Sequence, residues 1–375
     1  MSEANTIIVT TSRDDTLDVA RAVAMIGVVV LNYHTYLNNS EAWTPLSPSI
    51  WQRLCNPSTG LLTTRFAALF VLVAGIGVSL MTRASRDANN SFLLRAARLR
   101  LLRRGALLLL VGYFLEWIWP GTILFYYGAY FIVAASIFAA PTRRVLGVGA
   151  TAALAAATLA LWRTNQVSDL NFTSWLDPPK IDSPRGLLIR LFVSYTHPLF
   201  PWLLFFAVGI VLGRHVQQFA QFRARLMLWS AAVVASTYIA SHLLSPSPIL
   251  GPHDRMIAKL LSTDPYDRGL AYSIVTLATA LFAYGVLSLL VSAIGGSALM
   301  QLLSRAGQMS LTIYIAHIFF FNIIVHKLHW VGATGLDTAV VLALVFYAAA
   351  IPLSATWRKY AGRGPAERLY RAFGG

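Results

Sequence analysis

The chain has 375 residues, 57% of them hydrophobic and only 12% charged, with a mean hydropathy of +0.61, whereas a soluble domain carries about 25% charged residues. That balance excludes an ordinary soluble enzyme and indicates an all-α, polytopic membrane helix bundle. The net charge of +15 implies no nucleic acid, because basic loops against anionic lipid gain about 1 kcal/mol per residue, and the single cysteine, Cys55, excludes an intrachain disulfide.

A membrane span needs about 20 mostly apolar residues. Ten candidates follow one another at 17–37, 58–82, 99–118, 121–140, 144–162, 198–213, 226–245, 270–294, 306–326 and 337–356. They form one domain over 1–375, with a polar segment at 1–16 and an amphipathic tail at 357–375. The first span is too long, and its flank too polar, for a removable signal peptide. Seven arginines from the end of the second span through the first turns of the third mark that loop as cytoplasmic. Alternating from there puts nineteen basic residues inside and nine outside, so both termini are expected in the cytoplasm of a cell that inserts the chain in its inner membrane.

The first span, 17-LDVARAVAMIGVVVLNYHTYL-37, carries Asp18, Arg21, Asn32 and His34. At 100° per residue, Asp18, Arg21 and Asn32 fall within an arc of about 60°. Asp18 and Arg21 can pair, and Asn32 lies about 16 Å further along at 1.5 Å per residue. His34 turns roughly opposite to Asp18 and joins that stripe only if the helix breaks after Asn32. Ionisable groups inside a span usually face a bundle interior or a water-filled cavity, although a structural pair at the interface and an interhelical bond from Asn32 account equally for these residues.

In the second span Arg65 lies in the outer third, with Gly75 and Gly77 further in, where they allow close helix approach. Glu116, at the outer end of the third span, is at similar depth. The two either pair or leave Arg65 to receive an anionic substrate. The longest outer loop, 163–197, holds Asn171, Trp175, Asp177, Pro178, Pro179 and Asp182; loops of that length are often functional. His197 opens the sixth span as either an interfacial cap or a reactive group. In the ninth, Ser310, Tyr314 and His317 recur at spacings of four and three, as a hydrogen-bond chain between helices or a substrate contact. Most other histidines fall near the outer face, which suggests chemistry there. Pro365 suits a first helical turn, and the tail reads as an interfacial amphipathic helix that anchors the chain to lipid. No phosphate loop, G-x-S-x-G, HExxH or cysteine pair is present, and no metal is expected.

Several segments resemble a known family. Leu17, Asp18, Arg21, Ala24, Asn32 and Tyr33 resemble the opening span of the bacterial YeiB-like membrane proteins, and the Asn-Tyr pair is similar to one in heparan-α-glucosaminide N-acetyltransferases. In order, "LFVLVAGIG" (69–77), "WPGTIL" (119–124), "HPLFPWLLFFAVGIVLGR" (197–214), "GQMSLTIYIAH" (307–317) and the ending "GPAERLYR" (364–371) resemble elements of one or other side of this group. Thr122 stands where the resembled pattern has Asp, and Ala22 where it has Gly.

The resemblance implies a transmembrane acyltransferase. Acyl-CoA, in its acetyl form, would come from the cytoplasm, and a sugar or glycolipid acceptor would be modified outside. On that expectation Arg98, Arg100, Arg103 and Arg104 attract the CoA phosphates, while Asp18 and Arg21 sit at the entrance of a path running to Asn32. A histidine beyond the first span does the acid/base work in the resembled enzyme; His34 lies near that place, and His197 or His317 substitutes if His34 faces away. Tyr33, Arg65, Glu116 and Tyr314 are the expected substrate contacts. Membrane lipids are expected partners, and a homodimer is left open. Two other functions fit the same residues: a transporter or flippase without covalent chemistry, and a non-catalytic envelope-assembly protein.

Overall fold

The computed structural model describes residues 15–38, 50–56, 60–88, 90–178, 181–246, 251–332 and 336–374. Most of the polar N-terminal segment, much of the first outer loop and Pro179 lie outside them. All regular structure among the described residues is helical. In chain order the helices are α1 (Asp15–Asn38), α2 (Ile50–Cys55), α3 (Arg65–Met81), α4 (Arg83–Asp87), α5 (Ser91–Leu115), α6 (Ile123–Ile137), α7 (Thr142–Ser168) and α8 (Pro184–Phe192). They continue as α9 (Leu199–Arg214), α10 (Phe219–Leu244), α11 (Pro252–Leu261), α12 (Leu270–Ile294), α13 (Ala298–Gly307), α14 (Ser310–Phe321), α15 (Leu336–Tyr360) and α16 (Pro365–Gly374).

A helix lies in each of the ten expected positions, but six are long and apolar enough to cross a membrane: α1, α7, α10, α12, α15, and α14 with the π-helical turn that continues it to Lys327. The helices α3, α6 and α9 are apolar but shorter, at 17, 15 and 16 residues. Most of their residues are buried, so their hydrophobicity serves helix packing as much as lipid contact. The fifth, α5, starts at Ser91 because the Asn90 side chain accepts hydrogen bonds from the Phe92 and Leu93 amides, a favourable N-cap. It therefore takes the arginine cluster into its own first turns.

Burial sorts the helices. The core of the bundle holds α1, packed against α3, α12, α13, α14 and α15. On the periphery, α10 buries little besides Phe219 and Ser230 and exposes Leu228 and Trp229. A helix that is apolar all round and unburied belongs against lipid. Tight crossing of α3 on α9 depends on glycine: a Cβ on Gly75 would lie 2.2 Å from the Phe206 carbonyl oxygen, and one on Gly209 would lie 2.1 Å from that of Leu72. Short helices held at that distance can carry cavities on either side of the crossing.

Many arginines bind helix ends. Arg214 donates to the carbonyls of Phe138 and Ala140 at the end of α6, and Arg98 donates to Ala135. Such contacts satisfy carbonyls a helix terminus leaves open, a use the lipid-facing expectation had not given them.

Candidate functional site

Two cavities approach each other along α1. The proximal one, toward the start of α1, has a volume of about 580 Å³ and is lined by Arg21, Arg100, Arg104, Tyr127, Tyr314 and Arg371, among others. The distal one, of about 190 Å³, is lined by Asn32, Trp119, Tyr195, His197 and Arg268 together with several threonines and apolar neighbours. Arg21 pairs with Asp18 at 3.1 Å, and the pair is anchored on the buried Asp18 carboxylate, 2% exposed. Gly77 leaves room for the guanidinium, since a Cβ there would lie 2.9 Å from Nη2. The Tyr127 hydroxyl, buried against the same cavity, has no hydrogen-bond partner among the described residues.

A thin septum separates the cavities. Tyr314, which lines the proximal one, shares a hydrogen bond with Thr122 Oγ1 at 3.0 Å and accepts one from the Ile123 amide at 3.0 Å. One turn on, His317 is fully buried within the septum and itself lines neither cavity. Its Nδ1 contacts the Tyr314 carbonyl oxygen, and its Nε2 stands 3.5 Å from Asn32 Nδ2, on the wall of the distal cavity. A carbonyl can only accept, so Nδ1 carries the proton and Nε2 presents its lone pair toward Asn32. Thr122, in the place of the resembled acid, is thus a hydroxyl partner of Tyr314.

The structure decides some positions that were left open and moves others. The first helix does not break after Asn32 but runs to Asn38. His34 stays off the stripe, fully buried with Nδ1 2.7 Å from the Val30 carbonyl oxygen, and lines neither cavity. Tyr33 is fully buried too, donates to the His317 carbonyl at 3.0 Å and lines neither cavity. Of the four arginines expected at one site, Arg100 and Arg104 line the proximal cavity; Arg98 caps α6 and Arg103 is exposed. Glu116 does not pair with Arg65. It pairs with Arg190 at 3.0 Å. His197 lines the distal cavity from the segment before α9, where burial and the neighbouring Arg268 push its imidazole down to about 3. It is therefore neutral across the physiological range and available as a hydrogen-bond acceptor.

The tail was expected to be a surface anchor. It starts at Pro365 as expected, but α16 closes one side of the proximal cavity with Glu367, Tyr370 and Arg371. Glu367 Oε1 accepts from the Leu311 and Thr312 amides at 2.8 and 3.1 Å, and Oε2 from the Thr312 hydroxyl. A carboxylate at the N-terminus of α14 satisfies amides that Met309, the N-cap residue, leaves open and complements the helix dipole. Arg104 lies over the Tyr370 ring, 4.8 Å from its centroid. Glu367→Ala is expected to lower stability by about 2–3 kcal/mol, since a hydrogen bond to a charged group contributes about 1.5–3 kcal/mol and this carboxylate is only partly buried. Thermal unfolding in detergent checks it, with Glu367→Gln expected to recover part of the loss.

Comparison with known families fits this arrangement. Residues 13–245, more than half of the chain, match the family described as "Heparan-alpha-glucosaminide N-acetyltransferase, catalytic". Residues 255–374 match "Protein of unknown function (DUF418)", the YeiB-like type. Compared with curated proteins individually, the chain finds no significant match. The two matched segments meet in one place: Asn32 and Thr122 come from the first, and Tyr314, His317 and Glu367 from the second. The chain therefore belongs to the heparan-α-glucosaminide N-acetyltransferase catalytic family, as a YeiB-like multi-pass membrane protein.

Proposed function

We propose that the protein is a transmembrane acyltransferase, taking acyl-CoA, as acetyl-CoA, into the proximal cavity from the cytoplasm and acylating a sugar or glycolipid in the distal cavity on the external side of the inner membrane. The observation that carries this reading is His317, the histidine that touches both Tyr314 on the donor side and Asn32 on the acceptor side. A volume of about 580 Å³ lies within the range of about 300–1,000 Å³ typical of small-molecule sites. Arg100, Arg104 and Arg371 supply the charge for the CoA phosphates, with Arg21 beside the path of the pantetheine. The excess of basic residues on that side supports its assignment to the cytoplasm.

In the reaction the acceptor's hydroxyl or amine attacks the thioester carbonyl carbon. A carbon–oxygen or carbon–nitrogen bond forms, the carbon–sulfur bond breaks, and the acceptor proton passes to His317 Nε2 and from there to the departing CoA sulfur. Asn32 would orient the nucleophile, Tyr314 and Thr122 would face the thioester, and His197 would hold the acceptor through its neutral ring. Removing Arg104 or Arg371 as glutamine is expected to weaken acetyl-CoA binding about tenfold or more, because a charge-assisted contact to phosphate is worth about 1.5–3 kcal/mol. Equilibrium binding of labelled acetyl-CoA to the purified protein measures this. Wild-type affinity in both variants would sink the donor-site assignment.

A further inference from the structure

Arg65 opens α3 at the distal end and is only 7% exposed. Its Nη2 reaches the Tyr238 hydroxyl at 3.4 Å, and its guanidinium lies 5.6 Å from the centre of the Tyr272 ring. Neither neighbour carries negative charge. Nη1 has no hydrogen-bond partner among the described residues, and no described carboxylate forms an ion pair with Arg65; Glu116 is committed to Arg190, and Asp267 to Lys259. Burying an uncompensated cation costs several kcal/mol, so this position is costly unless a ligand completes it.

The space in front of Arg65 is a second distal cavity of about 760 Å³. Hydroxyls of Ser241, Ser245, Ser262 and Thr263 line it, Arg255 adds positive charge, Lys259 is paired with Asp267, and the Asp264 carboxylate also lines it. The cavity shares Pro265 with the smaller distal cavity, and Thr64, next to Arg65 in the chain, lines that one. A guanidinium surrounded by hydroxyl groups is suited to a phosphate, whose oxygens take two parallel N–H donors and further hydroxyl donors.

We infer that Arg65 binds the phosphate of a phosphate-bearing acceptor, a lipid-linked sugar phosphate, whose sugar extends past Pro265 toward Asn32. This deepens the acyl-transfer reading and rests on it for the acceptor's role, although the phosphate site stands on its own geometry. The shared chemistry is a phosphate group, and different probes separate its sources.

The test uses the full-length purified protein without acyl-CoA. Binding of inorganic phosphate, glucose 1-phosphate and farnesyl phosphate is measured in detergent, with glucose as the uncharged control, and binding to nanodiscs containing phosphatidylglycerol is measured separately. Glucose 1-phosphate or farnesyl phosphate is expected to bind more tightly than inorganic phosphate, and Arg65→Gln to weaken that binding at least tenfold. Arg65→Lys is expected to retain part of it. Because Arg65→Gln removes an uncompensated buried charge, it is expected to unfold no earlier than wild type; if it does not fold, Arg65→Lys alone decides, and wild-type affinity there overturns the site. Equal affinity in wild type and Arg65→Gln, binding of phosphatidylglycerol alone, or binding of none of the probes would likewise overturn it. Arg65-dependent binding without any acyl transfer would keep the site and remove the acyltransferase reading; transfer without such binding would do the reverse.

Discussion

Replacing His317 with glutamine is expected to lower acyl transfer by about 10²- to 10⁴-fold, the usual contribution of a general base, with acetyl-CoA affinity left near wild type. Glutamine is the informative substitution because it keeps a polar amide of similar reach where Nε2 stands, beside Asn32, while it cannot accept a proton there. Alanine would remove the base and also open a cavity among Tyr33, Trp119 and Tyr314, whose rings pack around the imidazole. The split between a lost transfer rate and a retained donor affinity separates a base from a brace, since a merely structural role would disturb both. His34→Asn is the matched comparison: His34 bonds its own helix through the Val30 carbonyl and turns away from the stripe whose Asn32 meets His317, so transfer should stay within a few-fold of wild type. The reverse pattern, activity lost with His34→Asn and kept with His317→Gln, would return the base to the first span. Movement of a substrate across vesicles containing the protein without consumption of acetyl-CoA would favour a transporter using the same two cavities.

Much of this was legible from residue spacing. The arc of Asp18, Arg21 and Asn32 follows from helix periodicity, and in the structure Asp18 meets Arg21 and Asn32 reaches a second polar stripe. That stripe, Ser310, Tyr314 and His317, was equally visible, although not that the two would meet. Helix periodicity also turned His34 away correctly, while the family resemblance pulled it toward the site. α12 matched its expected bounds of 270–294 because a uniform apolar run leaves no ambiguity. Hydropathy could not tell α3, α6 and α9, buried against other helices, from spans facing lipid, because both environments select apolar side chains. Glu116 found Arg190 across 74 residues, a choice that the depth of two charges in a span cannot fix. The role of α16 was hidden for a related reason. Its apolar face reads the same against a bilayer as against Phe131, whose ring packs edge-on to Tyr370, and nothing local to Glu367 says that its partners are 55 and 56 residues away.

Breaking the Glu116–Arg190 pair is expected to cost about 3–5 kcal/mol of stability in Glu116→Leu or Arg190→Met, because either single change leaves the other charge buried without its ion-pair partner. Both side chains are 3% exposed. Arg190 also lies against the Tyr195 ring, 3.6 Å from its centroid, and Glu116 Oε1 accepts the Gly121 amide at 2.8 Å. The Glu116 carboxylate therefore fixes the turn that carries Trp119 and Gly121 onto the distal cavity and Thr122 onto Tyr314. Gly121 sits at φ +90, and a Cβ there would lie 2.8 Å from the side chains of Tyr195 and Thr196, so the turn has little room to relax. The double variant Glu116→Leu/Arg190→Met should regain most of the stability, since a well-packed apolar pair is often equal to or better than a buried ion pair. Denaturant unfolding of the four proteins in one detergent gives the coupling energy directly. Transfer should not return with stability in the double variant, because the Gly121 amide would still lack its acceptor. Recovery of both together would mean that the pair serves the fold alone, and that the turn holds the septum in place without it.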